Sequence, residues 1–354
     1  MAHRSTPAST VRTVRVFGPD FTFPYDEWIT HPAGLGTVPP DRRGERVAVV
    51  GAGVAGLVAA HELARLGLHP VVYEAARLGG RLRSERFQNG GPGDDPIVAE
   101  LGGMRFPRSG TAFYHYVDRC ELDVRPFPNP LTEAAPTTVV DLAGRSHFAR
   151  ELSDLPDLFT EVADAWDTAL QAHASLGEIQ AAMRARDAAA VKQIWDPLVR
   201  EWDDRTFYDF IATSDSFAEL TFAHREVFGQ VGFGTGGWDS DFSNSMLEIL
   251  RVVVSQFEDD QHFIVGGAER LPQRLWQLPI TDAGGHPSGT TLSSLHPGGS
   301  PRPGVRAIAP DGTRLSVTDQ WGTTESFAAV RGTTQSGRQT TAIGVAESLV
   351  SDVL

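Results

Sequence analysis

The sequence predicts an α/β protein organised around a parallel sheet, on three observations. A short apolar run, RVAVV (Arg46 to Val50), ends in glycines; VAGLVAAHELARLGL follows with helical periodicity; and HPVVYEA closes the unit as a second short apolar run. Before it, residues 1–45 are rich in Pro, Gly and aromatics and read as an extended arm with turns. Gly67 is placed as the stop of the first helix, and Glu74 as the end of the second strand. From about Phe148 to Thr213 the composition and spacing become strongly helical, with SDLP and SLGE as capped starts and the Trp and Leu positions as core. GQVGFGTGGWDSDFSNSMLEILRVVV reads as a glycine-rich loop feeding another helix. GVRAIAPDGTRLSVTDQWGTTESFAAV, with DG and WG turns, reads as a β-meander.

Bulk properties narrow the function. A chain of 354 residues suffices for about two domains. A formal charge of −14 argues against nucleic acid or an anionic membrane surface as a partner. Cys120 is the single cysteine, which excludes an internal disulfide and cysteine-based clusters and fits a reducing, cytoplasmic setting. Neither a transmembrane run nor a secretory signal is recognisable. Lys192 is the single lysine, and it sits in a helical stretch. His115, His224 and His262 read as structural or solvated. With no metal-ligand spacing and no nucleophile–base motif, neither a metal nor a covalent enzyme intermediate is expected.

The chemistry concentrates in three glycine-rich turns. VVGAGVAG carries G-x-G-x-x-G at Gly51, Gly53 and Gly56 between a strand and a helix. The glycines serve a tight turn, close approach of a pyrophosphate, and close helix–strand packing. The helix N-terminus offers free N–H groups to phosphates. Glu74 follows Gly51 by 23 residues, where a carboxylate can accept from ribose hydroxyls. The alternative is a plain tight turn. EAARLGGRLRS then adds Arg77, Gly79, Gly80 and Arg81, a second set of groups that suits FAD better than the shorter NAD; the alternative is a basic surface turn. VAELGGMRFP aims Arg105 from a third turn, as a surface charge, a phosphate clamp or a substrate anchor.

These runs resemble the flavin amine oxidase family, in which E-x-x-R-x-G-G-R follows the first β-α-β unit. Together with FPYDEWITHPAGLG, TAFYHYVD, RPFPNPLT, EWDDRTFYDFIATS and HREVFGQVGFGTGGWDSDFSNSMLEILR, they are most similar to its L-lysine 2-monooxygenase branch, and more distantly to its tryptophan 2-monooxygenase branch, up to about Ala329. The resemblance implies an FAD-binding Rossmann-type domain of the amine oxidase (GR2) class, discontinuous in sequence, with an inserted α+β substrate domain. The expected division is an arm at 1–45, FAD-binding parts at 46–110 and 261–335, a largely helical substrate domain at 111–260, and an atypical tail at 336–354. The resemblance assigns FAD contacts to Gly51, Gly53, Ala55, Gly56 and Glu74, and to Arg77, Gly79, Gly80 and Arg81. It adds Gly102, Gly103, Met104 and Arg105 beside the flavin, with Glu100 approaching through its backbone, and Val305.

In amino-acid-oxidising relatives the arginine of a similar G-x-M-R segment holds the substrate carboxylate. A bidentate guanidinium–carboxylate pair would orient Cα–H toward the flavin. For a lysine side chain, Asp241 and Asp239 offer a partner to the ε-ammonium, with Trp238 and Phe242 along the aliphatic stem; helix capping or solvation is the alternative for both carboxylates. The implied reaction is oxidation of L-lysine, or another cationic L-amino acid, by FAD and O2 to 5-aminopentanamide, CO2 and water. An L-amino-acid oxidase releasing keto acid, ammonia and H2O2 shares the first half of that reaction, and a non-catalytic remnant is a third reading. Relatives are homo-oligomers. They also continue with further substrate-domain, flavin-covering and FAD-binding segments where this chain has VRGTTQSGRQTTAIGVAESL, so a truncated or frameshifted product is expected. Lys192 is not expected to stand in for the lysine those segments carry.

Overall fold

The computed structural model describes Ile29 and residues 36–87, 97–108, 110–142, 144–185, 187–231, 245–254, 261–281, 285–311 and 314–328. Its first unit is the expected crossover. Strands β1 (Arg46–Val50) and β2 (His69–Glu74) run parallel, Arg46 opposite His69 through Val50 opposite Tyr73, and helix α1 (Val54–Arg65) joins them. Val72 of β2 packs into a core with Leu57, Val58 and Leu63 of α1, while Val71 and Tyr73 pack on the opposite side with Val317 and Phe327. Both faces of β2 are covered, which is why HPVVYE shows an unbroken apolar run instead of alternation. Gly67 stops α1 as the sequence predicts. It takes φ +87°, and the N–H groups of Gly67 and Leu68 close onto the carbonyls of Ala64 and Leu63 at 2.9 and 3.0 Å.

The chain continues through a hairpin, β3 (Ser84–Phe87) with β4 (Ile97–Glu100), then β5 (Phe106–Pro107), α2 (Thr111–Arg119) and β6 (Val124–Pro126). Tyr116, Val117, Cys120 and Leu122 belong to the core of the first unit, which therefore runs past residue 110. A second hairpin, β7 (Thr138–Leu142) with β8 (Arg145–Ala149), leads into the helices α3 (Asp157–Ala174), α4 (Leu176–Arg184), α5 (Ala188–Trp202), α6 (Phe207–Thr213), α7 (Asp215–Ala218), α8 (Phe222–Val231) and α9 (Met246–Val254). They share one core, in which Trp195, Trp202, Phe207, Phe210 and Phe217 are fully buried. Each such side chain contributes about 1.5–3 kcal/mol of burial, so the Trp positions are core, as their spacing suggests. Lys192 forms an exposed pair with Asp196 at 2.6 Å, one turn along α5.

The capped starts differ from expectation. At SDLP a reciprocal capping box joins Glu151 and Asp154 around a single 3-10 turn, and α3 begins only after Pro156. At SLGE, Ser175 makes no side-chain cap. It ends α3 in the left-handed conformation (φ 46°), whereas a capping hydroxyl needs an extended backbone to face the first-turn N–H groups.

After the helices, β9 (Gln261–Ile264) pairs antiparallel with both β5 and β6, giving the order β5-β9-β6. Helices α10 (Arg270–Gln277) and α11 (Leu292–Leu295) follow. Strand β10 (Arg302–Pro303) then returns parallel to the end of β2, before the predicted meander of β11 (Val305–Asp311), β12 (Arg314–Asp319) and β13 (Thr324–Ala328). The arm, apart from Ile29 and residues 36–45, and the tail 336–354 lie outside the described residues.

Two buried histidines hold this unit together in their neutral form. His296 accepts the N–H of Val72 on Nε2 at 2.8 Å, and its Nδ1 lies 2.7 Å from the Leu292 carbonyl. His61 is fully buried on α1 with Arg119 Nη2 at 3.2 Å from its Nε2. A guanidinium can only donate, so that nitrogen must accept. Burial first, then the charges of Arg119 and Arg65, lowers the His61 pKa from 6.5 to about 3. Burial is also the first cause lowering His296, and its backbone hydrogen bond to Leu292 opposes the shift. The unfolded chain therefore binds more protons just below pH 6.5. The stabilisation is complete above that value and declines as pH falls, for His61 by about 1.4 kcal/mol per pH unit, with His296 adding in the same direction. Thermal melts from pH 7.5 to 5 should show this decline, and His61→Asn should reduce it; an equal decline in both proteins would refute the assignment.

Candidate functional site

The site is built from three turns that lie against one another. In the first, Gly51 leaves β1 with φ +102° and Gly53 opens α1 with no side chain capping the helix, so the first-turn N–H groups are presented bare. Gly56 is required by close approach: a Cβ there would lie 2.0 Å from the Gly51 carbonyl oxygen. At Gly53 the reverse holds, for a Cβ would meet nothing within 4 Å. Open space above a bare helix N-terminus, beside a tightly packed one, is the geometry a pyrophosphate needs. Ala55 is half-buried in that first turn.

The second turn docks on the first. Gly79 bridges to Gly53, and its N–H donates to the Ala52 carbonyl at 2.9 Å. Glu74 ties the two together: Oε2 accepts the Ala52 N–H at 2.7 Å, while Oε1 accepts those of Ala76 and Arg77 at 2.8 and 3.3 Å. Three of a carboxylate's roughly four acceptor positions are thus taken by backbone, a structural duty added to the ribose contact expected from sequence. Arg77 lies 3.5 Å from Glu269 through Nη2, yet among the described residues its buried Nε and Nη2 make no hydrogen bond. Its Nη1 also lies 3.9 Å from Glu85, so the guanidinium is held by two carboxylates at long range with hydrogen-bonding capacity left over.

The third turn docks on the second. The N–H groups of Leu101 and Gly103 donate to the carbonyls of Arg83 and Arg81 at 2.8 and 3.1 Å, and a Cβ on Gly102 would lie 1.8 Å from the Arg81 oxygen. Met104 is 42% exposed. Arg105 follows at the start of the β5-β9-β6 sheet. Its Nη1 donates to Asn129 Oδ1 at 2.9 Å, and its Cζ sits 5.5 Å from the centre of the Phe127 ring. Val305 packs beside Val71 and Tyr73 where the meander meets β2. Asp239, Asp241 and Trp238 lie outside the described residues.

Some residues of this assembly were not legible in advance. Ser84, Glu100 and Glu269 form a network: Ser84 Oγ donates to Glu100 at 2.6 Å and accepts the Glu269 N–H at 3.1 Å, while Glu100 also accepts the Ala268 N–H at 2.7 Å. It clamps the third turn to the segment after β9, so Glu100 acts here through its side chain. The one available signal was the glycine pair in IVGGAERLP, just before a helix. Asn129 and Gln261 carried none.

A parallel β-α-β crossover with a bare, glycine-lined helix N-terminus is the architecture of dinucleotide-binding proteins. The chain belongs to the flavin containing amine oxidoreductase family, whose model matches residues 54–319. Tryptophan 2-monooxygenase of Pantoea agglomerans pv. gypsophilae is 33% identical over 267 residues, covering 69% of this chain and 45% of its own. A phenylalanine 2-monooxygenase precursor of a Pseudomonas species is 24% identical over 323 residues, 72% of this chain and 45% of its own. The match thus spans a third to a half of the length of the curated relatives. Among solved structures, a redesigned putrescine oxidase superposes with a TM-score of 0.54 at 18% identity, covering 80% of this chain and 56% of that one. Cyclohexylamine oxidase from Brevibacterium oxydans IH-35A gives 0.51 at 17%, covering 81% and 56%. These two likenesses show the fold. Among the described residues no helix is long and apolar enough to cross a membrane, and no cluster of His, Cys, Asp or Glu could hold a metal.

The first turn separates folding from binding. Gly53→Ala, at φ −72° with open space, should fold with an unchanged Tm but bind FAD at least about tenfold more weakly, roughly 1.4 kcal/mol. Gly56→Ala should lose stability by about 1–3 kcal/mol or more, because backbone must move. Denaturant melts with FAD titration distinguish the two, and equal behaviour of both variants would contradict the geometry.

Proposed function

We propose that this chain binds FAD and oxidises an L-amino acid at Cα as a 2-monooxygenase, converting the substrate to the amide with loss of CO2. The observation that carries the reading is the run of contacts from the Gly51–Gly56 turn through Gly79–Arg81 to Gly103 and Arg105, which joins an anion-binding helix end to an exposed guanidinium. When bound, the flavin supplies a two-electron acceptor for the substrate hydride. The chain's own groups supply binding and orientation. The α1 N-terminus and Arg77 hold negative charge, and the last acceptor position of Glu74 takes a ribose hydroxyl. Arg105 fixes a carboxylate by two parallel hydrogen bonds, which sets the rotation of Cα as well as the affinity.

Relatives named for tryptophan and phenylalanine 2-monooxygenation support an amino-acid substrate. For the side chain we favour lysine, with Asp241 or Asp239 as countercharge and Trp238 along the stem. A cytoplasmic setting, with the buried thiol of Cys120 kept reduced, and a homo-oligomeric state belong to the same reading.

The test is the visible spectrum of the chain reconstituted with FAD, recorded anaerobically with L-lysine, L-tryptophan or L-phenylalanine. Bleaching of the oxidised flavin band, fastest with L-lysine, is expected, followed in air by amide and CO2. Keto acid and peroxide would assign the chain to the L-amino-acid oxidases. Failure to take up FAD would defeat the enzymatic reading altogether.

A further inference from the structure

We infer that Asn129 is the positioning residue for Arg105, and that Gln261 orients Asn129, so that the guanidinium presents its Nε–Nη2 edge at full charge to a carboxylate. The inference rests on the reading of Arg105 as substrate anchor. Its observations are local. Asn129 lies three residues beyond β6, in a turn whose backbone is tied down: the Phe127 N–H donates to the Gln261 carbonyl at 2.7 Å, and the Asn129 N–H to the Phe127 carbonyl at 2.8 Å. The Asn129 carbonyl accepts the Thr132 N–H and hydroxyl at 3.2 and 2.6 Å. The side chain is equally constrained. Nδ2 donates to Gln261 Oε1 at 3.1 Å, which leaves Oδ1 to face Arg105 Nη1 at 2.9 Å.

The chemistry of an amide matters at this point. A guanidinium has five donors and no acceptor, so its partner must present oxygen. Gln261 turns the oxygen of Asn129 toward it, since the opposite flip would set NH2 against guanidinium. An aspartate in the same place would bond as well geometrically, but would neutralise Arg105 and repel an incoming carboxylate. The neutral amide holds one nitrogen and leaves the charge intact. Phe127 covers one face of the guanidinium at 5.5 Å and is itself set edge-on against Phe263 at 6.4 Å, so the planar group is held on a second side. With one Nη1 hydrogen engaged, the Nε–Nη2 edge keeps both of its parallel donors for a two-point carboxylate contact. Among the described residues no carboxylate pairs with it.

Two measurements test this. In the chain without added FAD, labelled with 15N-asparagine, Arg105→Gln and Gln261→Ala should each move the Asn129 side-chain NH2 resonance; no movement in Arg105→Gln overturns the inference whatever the substrate. In the FAD-loaded chain, the apparent Kd for L-lysine in anaerobic flavin reduction should rise about tenfold in Asn129→Ala, one hydrogen bond's worth, with Tm and FAD uptake unchanged. Asn129→Asp should be worse than alanine, whereas a turn-forming role alone would leave aspartate close to wild type. Asn129→Ala should add nothing to Arg105→Gln, because it acts through that arginine. If Arg105→Gln weakens L-lysine but Asn129→Ala does not, or the two effects add fully, the positioning role is wrong and the anchor stands. If Arg105→Gln leaves the L-lysine response intact, the anchor reading itself fails.

Discussion

The separation between α1 and β1 governs everything else in the dinucleotide unit. The helix can lie over its strand only because nothing projects from Gly56 toward the Gly51 carbonyl, where a Cβ would stand 2.0 Å away. That approach brings the α1 N-terminus down to the level at which Gly79 can bridge to Gly53 and donate to Ala52. Once the second turn is seated, Arg81 offers its carbonyl to Gly103, and the third turn closes over it with the same demand for a missing side chain at Gly102. Three backbone segments are stacked through carbonyl and N–H groups, and a bulkier residue at one contact would push the next out of register. Such stacking costs conformational entropy at each glycine, which suits a site whose partner needs bare backbone more than it suits a site chosen for stability.

Polar side chains then join what chain distance separates. Ser84, Glu100 and Glu269 link the hairpin after the second turn to the segment after β9, with Arg77 at the margin of the network. His296 reaches from α11 to the N–H of Val72 next to where β10 takes over pairing with β2. Buried polar groups of this kind contribute little net energy when satisfied and cost several kcal/mol when broken. They select one arrangement of the segments more than they add stability. Arg105 is exposed, and its direction is set by the Asn129 amide from the turn after β6, itself bonded to the Gln261 amide at the start of β9.

What could be read in advance followed from local patterns with one structural solution. RVAVV and HPVVYE are too short and too apolar for anything but strands flanking a helix, although only HPVVYE is buried along its length and RVAVV, paired on one edge to β2, leaves Val50 exposed; DG and WG turns set the meander. The glycine motif named its own geometry. The helical region was legible from its Trp and Leu spacing. Ser175 was misread because a serine before a helix has two uses, and which one operates depends on how the preceding helix ends.

By itself the sequence determined the crossover, the three glycine turns, the helical unit and the meander, because each is specified by residues within a few positions of one another. Only the tertiary structure decided that Glu74 spends its carboxylate on backbone N–H groups, that Glu269 reaches Ser84 across 185 positions, and that Arg105 is met by Asn129 and Gln261. Those contacts join strands and turns far apart in the chain. A polar side chain carries no periodicity of its own, so its partner is fixed by packing and not by spacing.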